Sequence, residues 1–193
     1  MSSTLTDVVN IGLQELGVGE ISNINDSGKS ARAMRRIAIP TRDKILRECP
    51  WTFASKRISL AEDPTSPIWG FDNRYSLPAD FLYLEKIQSE PDYKLEGGFI
   101  ATDSTAPLYI QYISIIEDIN LWDESVVEAW SLKMAIKTCV YLTNDMSLRD
   151  RLSVEYKKSL SEAKRYNGQH DAPIMIPDGS IFEARDNYTQ SSY

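Results

Sequence analysis

The sequence predicts an α+β protein: a mainly helical four-helix bundle with a small antiparallel β insertion and an extended C-terminal arm. Apolar residues recur at helical spacing before residue 50 and again after residue 123, whereas the intervening stretch alternates and is rich in turn residues. The end of the chain has only isolated apolar residues. We therefore expect a helical domain over residues 1–168, a β insertion at about 51–118, and an arm over 169–193.

Two helices are predicted at the N-terminus. Thr4 and Asp7 have the spacing of a capping box, and apolar residues then follow at helical intervals up to Gly17. The second helix is predicted over Lys29 to Cys49. Pro40 lies within it and is expected to kink or interrupt the helix, because proline removes a backbone hydrogen bond.

The middle of the chain predicts short antiparallel strands. The period changes at Trp51, and the stretch up to Leu60 alternates as a strand does. Gly97-Gly98 joins two further alternating segments, and glycine tolerates the positive φ that a two-residue hairpin loop requires. The segment Leu108 to Ile113 is predicted as the last strand.

Two more helices are predicted before the arm. Asp123 is the expected N-cap of the third helix and Ser147 that of the fourth, which should end near Asn167-Gly168.

Composition excludes several functional classes. The net charge of -7 argues against bulk electrostatic binding of nucleic acid. No run of about 18 apolar residues could span a bilayer, and the N-terminus lacks the pattern of a secretory signal, so we expect no membrane association and synthesis in the cytoplasm. Cys49 and Cys139 are too few and too far apart for a disulfide framework or a zinc site, and are expected to be buried.

No catalytic, cofactor or metal site is predicted. Gly28-Lys29-Ser30 lacks the earlier glycine of a phosphate-binding loop, and the only histidine, His170, lies beyond the helical pattern. A carboxylate pair for glycoside cleavage could be drawn from the acidic residues around the third helix start, but capping and solvation explain their crowding. These residues are Glu117, Asp118, Asp123, Glu124 and Glu128.

The second helix is basic within an acidic protein. Lys29, Arg32 and Arg36 share one helical face and form a possible basic interface. Three interpretations remain open: a solvated face, a surface that meets an acidic partner or lines a passage for DNA, or a surface on which the acidic arm of a neighbouring copy lies.

The arm cannot form a packed unit alone. Burial of each large apolar side chain contributes roughly 1.5 to 3 kcal/mol, whereas ordering each residue costs roughly 1 to 2 kcal/mol in backbone entropy. The arm therefore either stays disordered or folds on the surface of a partner. Its candidate partner-binding residues are Pro173, Ile174, Ile176, Ile181, Phe182, Tyr188 and Tyr193.

The end of the second predicted helix resembles a known family. An Arg-Asp pair, two apolar residues and then Pro-Trp-x-Phe-Ala are similar to the tail tubular protein A, or head-to-tail adaptor, family of short-tailed bacteriophages. The segments Gln14 to Gly17, Leu77 to Phe81 and Leu108 to Ile113 agree in order, so the resemblance covers Leu5 to Ala163. The motif residues are Arg42, Asp43, Pro50, Trp51, Phe53 and Ala54.

The resemblance implies a structural virion protein rather than an enzyme. Such adaptors form a dodecameric ring that joins the portal protein to the tail nozzle, with the tail fibres as a further candidate partner. DNA would pass through the ring without sequence-specific binding, and the protein would reside in the virion tail after synthesis in the host cytoplasm. Trp51 and Phe53 would be core anchors, and the arm would reach the portal or neighbouring subunits.

Three alternatives stay open. A head-completion connector of tailed phages differs from the adaptor mainly in its position in the particle. A tail-associated cell-wall hydrolase would depend on a single acidic residue such as Glu124. A DNA-binding module would show steeply salt-dependent affinity.

Overall fold

The computed structural model describes residues 4–169, so the arm residues from 170 onward lie outside the description that follows. The chain forms two helices, then six strands, then two more helices. The helices are α1 (Leu5–Glu15), α2 (Lys29–Leu46), α3 (Glu124–Thr143) and α4 (Met146–Gly168). The strands are β1 (Ser55–Leu60), β2 (Asn73–Ser76), β3 (Phe81–Ile87), β4 (Tyr93–Glu96), β5 (Phe99–Thr102) and β6 (Leu108–Ser114).

The helix starts are capped by short polar side chains. The predicted capping box is confirmed, because the Asp7 backbone N–H donates to Thr4 and the Asp7 carboxylate accepts from the Thr4 backbone N–H at 2.8 Å. Asp123 caps α3 as predicted. The predicted cap at Ser147 is wrong, because Asp145 accepts from the Leu148 backbone N–H at 2.9 Å and α4 begins one residue before Ser147.

Pro40 does not interrupt α2, so the interruption, one of the two outcomes expected at this proline, is wrong. The helix runs without a break from Lys29 to Leu46, with Pro40 on its exposed side. Proline removes the N–H that would bond to the carbonyl of Arg36 four residues earlier. Arg36 is also exposed, so water can reach this side of the helix and the loss is tolerated.

Helix α3 lies at the centre of the helical part. Helices α1, α2 and α4 each pack against it, whereas α1 and α2 touch each other over only a short stretch. Gly12 of α1 lies so close to α3 that a Cβ at this position would be 2.8 Å from the carbonyl oxygen of Ser131. Since α3 has neighbours on three sides, it carries buried residues on most of its surface.

The strands form two three-stranded antiparallel sheets, one in the order β1-β6-β3 and the other in the order β2-β5-β4. Ser55 at the start of β1 pairs with Ile113 near the end of β6. The Gly97-Gly98 hairpin is confirmed, since Glu96 pairs with Phe99 and both glycines have positive φ.

Two apolar clusters fill the interior. The larger one joins all four helices to Trp51, Leu82 and Ile113 at the near edge of the first sheet. The smaller one is built from both sheets and includes Tyr75 and Ile100. The strand predicted from Trp51 onward is wrong at its start, because residues Thr52–Ala54 form a 3-10 turn that leads from α2 into β1.

The expected mainly helical four-helix bundle with a small β insertion is wrong. Helices make up 47% of the structure and strands 20%, and the strands form two sheets with their own apolar cluster. The sequence pattern revealed the strands and the pairing across Gly97-Gly98, but not the division of the six strands into two sheets. The β region is therefore a second packed unit with its own apolar cluster, rather than a small insertion in a four-helix bundle.

Candidate interaction surfaces

The segment between α2 and β1, which carries the Pro-Trp-x-Phe-Ala motif, is built into the core. The Trp51 side chain is fully buried, and its indole N–H donates to the carbonyl of Ile45 at 2.8 Å. Ala54 is also fully buried, and its carbonyl accepts from the Ser114 hydroxyl at 3.0 Å. The segment thus fixes the end of α2 to the first sheet.

Four aromatic rings extend this anchor across the molecule. Trp51 lies 6.2 Å from Phe53, Phe53 lies 5.3 Å from Trp122, and Trp122 lies 5.1 Å from Trp130, measured between ring centroids. The Trp130 indole N–H donates to the Thr41 hydroxyl at 3.1 Å. These contacts use the ring faces and the indole donors for packing, which is a structural role.

Two further polar contacts hold the same segment. The Asn167 side chain at the end of α4 accepts from the Thr52 backbone N–H at 2.8 Å and donates to the Pro50 carbonyl at 3.1 Å. Arg42, which is nearly buried, contacts the neighbouring Asp43 carboxylate at 2.9 Å. The motif therefore ties α4 as well as α2 to the β region.

Two of the acidic residues around the start of α3, Asp118 and Asp123, act as caps. Asp118 accepts from the Asn120 backbone N–H at 3.0 Å, and Asp123 accepts from the Ser125 backbone N–H at 2.9 Å. A cleft of about 210 Å³ beside Trp122 is lined by Asp123 and Asn167, whose polar atoms are already engaged by the backbone. Within residues 4–169, no group of three His, Cys, Asp or Glu residues could hold a metal ion.

The basic face predicted on α2 is exposed. Lys29, Arg32 and Arg36 all reach solvent, and the Lys29 ammonium lies 4.7 Å from the ring centroid of Tyr141 on α3. A cation at this distance from an aromatic face is attracted to it.

A second basic surface, which sequence reasoning did not assemble, is formed by lysines of α2, α3 and α4. We call it the basic seam, and it consists of Lys44, Lys133, Lys137 and Lys164. Lys164 approaches Glu48 at 3.8 Å. Burial lowers the pKa of Lys133 below its usual 10.5, and the positive charges of Lys44 and Lys137 lower it further against the opposing effect of Glu48.

Tyr156 of α4 forms part of the floor of the basic seam. The Lys133 ammonium lies 4.2 Å from the centroid of its ring. Burial raises the pKa of Tyr156 to about 12, and the charge of Glu48 adds to this effect. The Tyr156 hydroxyl and the nearby Ser159 hydroxyl are buried without a hydrogen-bond partner in the part of the chain that is described. An unpaired buried hydroxyl is costly, so these two are weak points of the helical core.

An acidic surface lies on the other side of α3, between α1 and α4. We call it the acidic seam, and it consists of Glu15, Glu128 and Glu155, all exposed. Partial burial raises the pKa of Glu15 above its usual 4.5, and the negative charges of Glu155 and Glu128 raise it further. The like charges of this seam therefore lie close enough to repel one another.

The loop between β1 and β2 exposes two large apolar side chains. Ile68 is 100% exposed and Trp69 is 82% exposed. The Lys94 ammonium of β4 lies 5.9 Å from the Trp69 ring centroid, and the loop lines a groove of about 550 Å³ together with Arg74 and Phe99. Two adjacent large apolar side chains at this exposure are uncommon on a surface that meets only water.

The surfaces that sequence reasoning missed differ in how far they could have been predicted from the sequence. Lys133 and Lys137 are four residues apart and share a helix face, so part of the basic seam was readable from spacing. The acidic seam joins three separate helices, and only the packing of α1 and α4 on α3 brings its residues together. Ile68 and Trp69 stand between Pro67 and Gly70, a position that itself indicates an exposed loop.

The predicted arm residues lie outside the described part of the chain. These are Pro173, Ile174, Ile176, Ile181, Phe182, Tyr188 and Tyr193. Of the two cysteines expected to be buried, Cys139 is buried and Cys49 is half-buried. None of the helices formed by residues 4–169 has the length and apolarity needed to cross a bilayer. Comparison of the chain with protein-family models and with curated proteins gives no match.

Proposed function

We propose that this chain is a structural virion protein, a ring-forming head-to-tail adaptor of a short-tailed bacteriophage. The ring, which the family resemblance makes dodecameric, joins the portal protein to the tail nozzle and leaves a passage for DNA during ejection. The protein is made in the host cytoplasm and then resides in the virion tail.

The observation that carries this proposal is the Arg42–Ala54 segment. Its residue order resembles the adaptor family, Trp51 and Ala54 within it are fully buried, and Asn167 bonds to the backbone on both sides of Trp51. A segment of this kind joins two parts of a subunit, because its buried aromatic and backbone contacts reach α2, α4 and the first sheet. It therefore supports a structural role rather than a catalytic one.

The surface chemistry favours binding over catalysis. Asp118 and Asp123 are occupied as caps, whereas the accessible features are broad: a basic seam, an acidic seam and the Ile68-Trp69 loop. Surfaces that join proteins are extended and combine apolar and charged patches. We assign the apolar loop to contact with a neighbouring virion component.

The test is electron microscopy of the full chain mixed with a portal ring from a short-tailed phage. We expect a second ring of density stacked on the portal. Deletion of residues 170–193 should leave the helical circular-dichroism spectrum intact and abolish joining to the portal, because the arm supplies the apolar contacts to that partner.

Two results would contradict the proposal. One is a chain that remains separate from portal rings at concentrations where both proteins are abundant. The other is hydrolysis of cell-wall glycan by the purified chain that is lost in Glu124→Gln, which would make the protein an enzyme. A matched control for that variant is Glu62→Gln, an exposed glutamate in the loop after β1.

A further inference from the structure

We propose that copies of this chain associate head to tail, with the acidic seam of one copy seated in the basic seam of the next. This inference deepens the proposed function and rests on it for the closure of a ring. Both seams, however, consist of residues within 4–169. The partner that fits each seam is a second copy of this chain.

The two seams face in different directions. On α3, Glu128 and Lys133 are five residues apart, which places them about 140° apart around the helix axis. On α4, Glu155 and Lys164 are nine residues apart, which places them about 180° apart. One subunit therefore cannot bring its own two seams together, and each seam remains available to another copy.

Each seam is incompletely neutralised within its own subunit. The basic seam has four lysines, with Glu48 among them and Asp150 beside Lys137, and the acidic seam has three glutamates, with Arg151 and Lys158 one helical turn from Glu155, so the neutralisation of each seam is partial. Like charges held this close repel one another, so a surface of opposite sign lowers the energy of both seams. The protein itself carries both surfaces.

Apolar side chains accompany the charges on both sides. Ile11 lies one turn before Glu15 on α1 and is 40% exposed. Beside Lys137, a groove between α3 and α4 is lined by Val140, which is 36% exposed, and Met146, which is 52% exposed. Association would bury these apolar groups at the same time as it pairs the charges, which is the usual composition of a specific interface.

The contact must be heterologous. A two-fold symmetric pair built on either seam alone would place glutamate against glutamate or lysine against lysine, which is repulsive. Joining different faces repeats the same contact from copy to copy. Such a chain of contacts closes into a ring when its rotation divides a full turn.

The experiment is sedimentation velocity of the full chain at about 50 mM and about 500 mM salt, since screening weakens exposed charge pairs. The double variants Lys133→Glu/Lys137→Glu and Glu128→Lys/Glu155→Lys should each raise the dissociation constant for self-association by more than about tenfold. An equimolar mixture of the two should associate again, because each variant then carries two seams of one sign and its partner two of the other.

The control is Lys86→Glu/Glu90→Lys, a double reversal at exposed positions of the β region, which should associate as the wild type does. If the lysine double variant does not fold, Lys137→Glu alone replaces it in the experiment, because the exposed Lys137 side chain can be changed without disturbing the core. Deletion of residues 170–193 should leave the salt-dependent association unchanged.

The inference is overturned if the wild type stays monomeric at low salt, if the reversals leave association unchanged, or if the mixture fails to restore it. It is also overturned if deletion of the arm abolishes association, or if the lysine reversal abolishes binding to duplex DNA while self-association persists. If the copies associate through the seams but do not join a portal, only the proposed function is refuted. If the protein joins a portal but its self-association does not depend on these charges, only the pairing of the two seams is refuted.

Discussion

The helical part and the β part of this chain are stabilised in different ways. The helical part has a large apolar cluster with Trp51 and Trp130 fully buried at its centre. The β part has a small cluster around Tyr75 and Ile100, and side-chain hydrogen bonds surround it. The Tyr75 hydroxyl donates to the Ser104 carbonyl at 2.7 Å, and the Arg74 guanidinium contacts Asp63 at 2.8 Å.

This difference indicates which substitutions each part should tolerate. Loss of buried volume should be most damaging among the helices, where the stabilisation comes mainly from packing. Removal of a hydroxyl group should be damaging in the sheets, where the hydroxyl has a hydrogen-bond partner. It should be harmless in the helical core at a position where the hydroxyl has none. Four predictions test this contrast.

Trp51→Ala should have the largest effect. Removal of a fully buried indole leaves a cavity in the larger cluster, so the free energy of unfolding should fall by about 3–5 kcal/mol. Urea denaturation of the purified variant measures this change. Trp69→Ala, the same substitution at an 82% exposed position of the β part, should change it by less than about 0.5 kcal/mol. Equal losses at both positions would refute the contrast.

Gly12→Ala should be the next most damaging. The new Cβ would meet the Ser131 carbonyl oxygen at 2.8 Å, so α1 and α3 would have to separate. We expect a loss of about 1–3 kcal/mol, measured in the same denaturation experiment. Gly19→Ala is the matched control, since nothing lies within 4 Å of the Cβ it would add. A Gly12→Ala protein as stable as this control would show that the two helices adjust freely.

Tyr75→Phe and Tyr156→Phe remove the same hydroxyl from the two parts. Tyr75→Phe removes the hydrogen bond to the Ser104 carbonyl, which keeps the Asn73 amide as its other donor, and should cost about 0.5–1.5 kcal/mol. Tyr156→Phe removes a hydroxyl that is buried without a partner, so it should leave stability unchanged or raise it by up to about 1 kcal/mol. Thermal unfolding of the two variants side by side decides the matter, and a larger loss at Tyr156 would count against the contrast.

Glu15→Gln should give the smallest effect and should depend on pH. Because the pKa of Glu15 is raised in the folded protein, its ionised form destabilises the fold, and this penalty is present at neutral pH. The variant should therefore melt at a slightly higher temperature than the wild type at pH 7. The gain should begin to shrink as the pH falls through the raised pKa of the folded protein, and it should be lost below the usual value of 4.5, where the glutamate is protonated in both states. A Glu15→Gln protein that melts at or below the temperature of the wild type at pH 7 would contradict this expectation.

Local features of the fold were readable from the sequence where the cause is local. The Thr4 capping box, the Asp123 cap and the Gly97-Gly98 hairpin depend on residues within three or four positions of each other. The outcome at Pro40 could not be read in this way. It depends on whether water reaches the carbonyl of Arg36, which the tertiary structure decides.

The surfaces divide in the same manner. The face formed by Lys29, Arg32 and Arg36 follows from helical spacing along a single helix. The acidic seam does not, because Glu15, Glu128 and Glu155 belong to three helices that only α3 brings together. The division of the strands into two sheets was likewise hidden, because alternation reveals that a segment is a strand but not which strand it pairs with.

The central position of α3 also has a consequence for synthesis on the ribosome. Helices α1 and α2 emerge first, yet the apolar surface that each needs is on α3, which is translated only after all six strands. Throughout that interval Leu13 and Met34, both fully buried in the finished protein, lack their final neighbours. The nascent chain is therefore most exposed to aggregation, and most dependent on chaperones, until about residue 143 has left the exit tunnel.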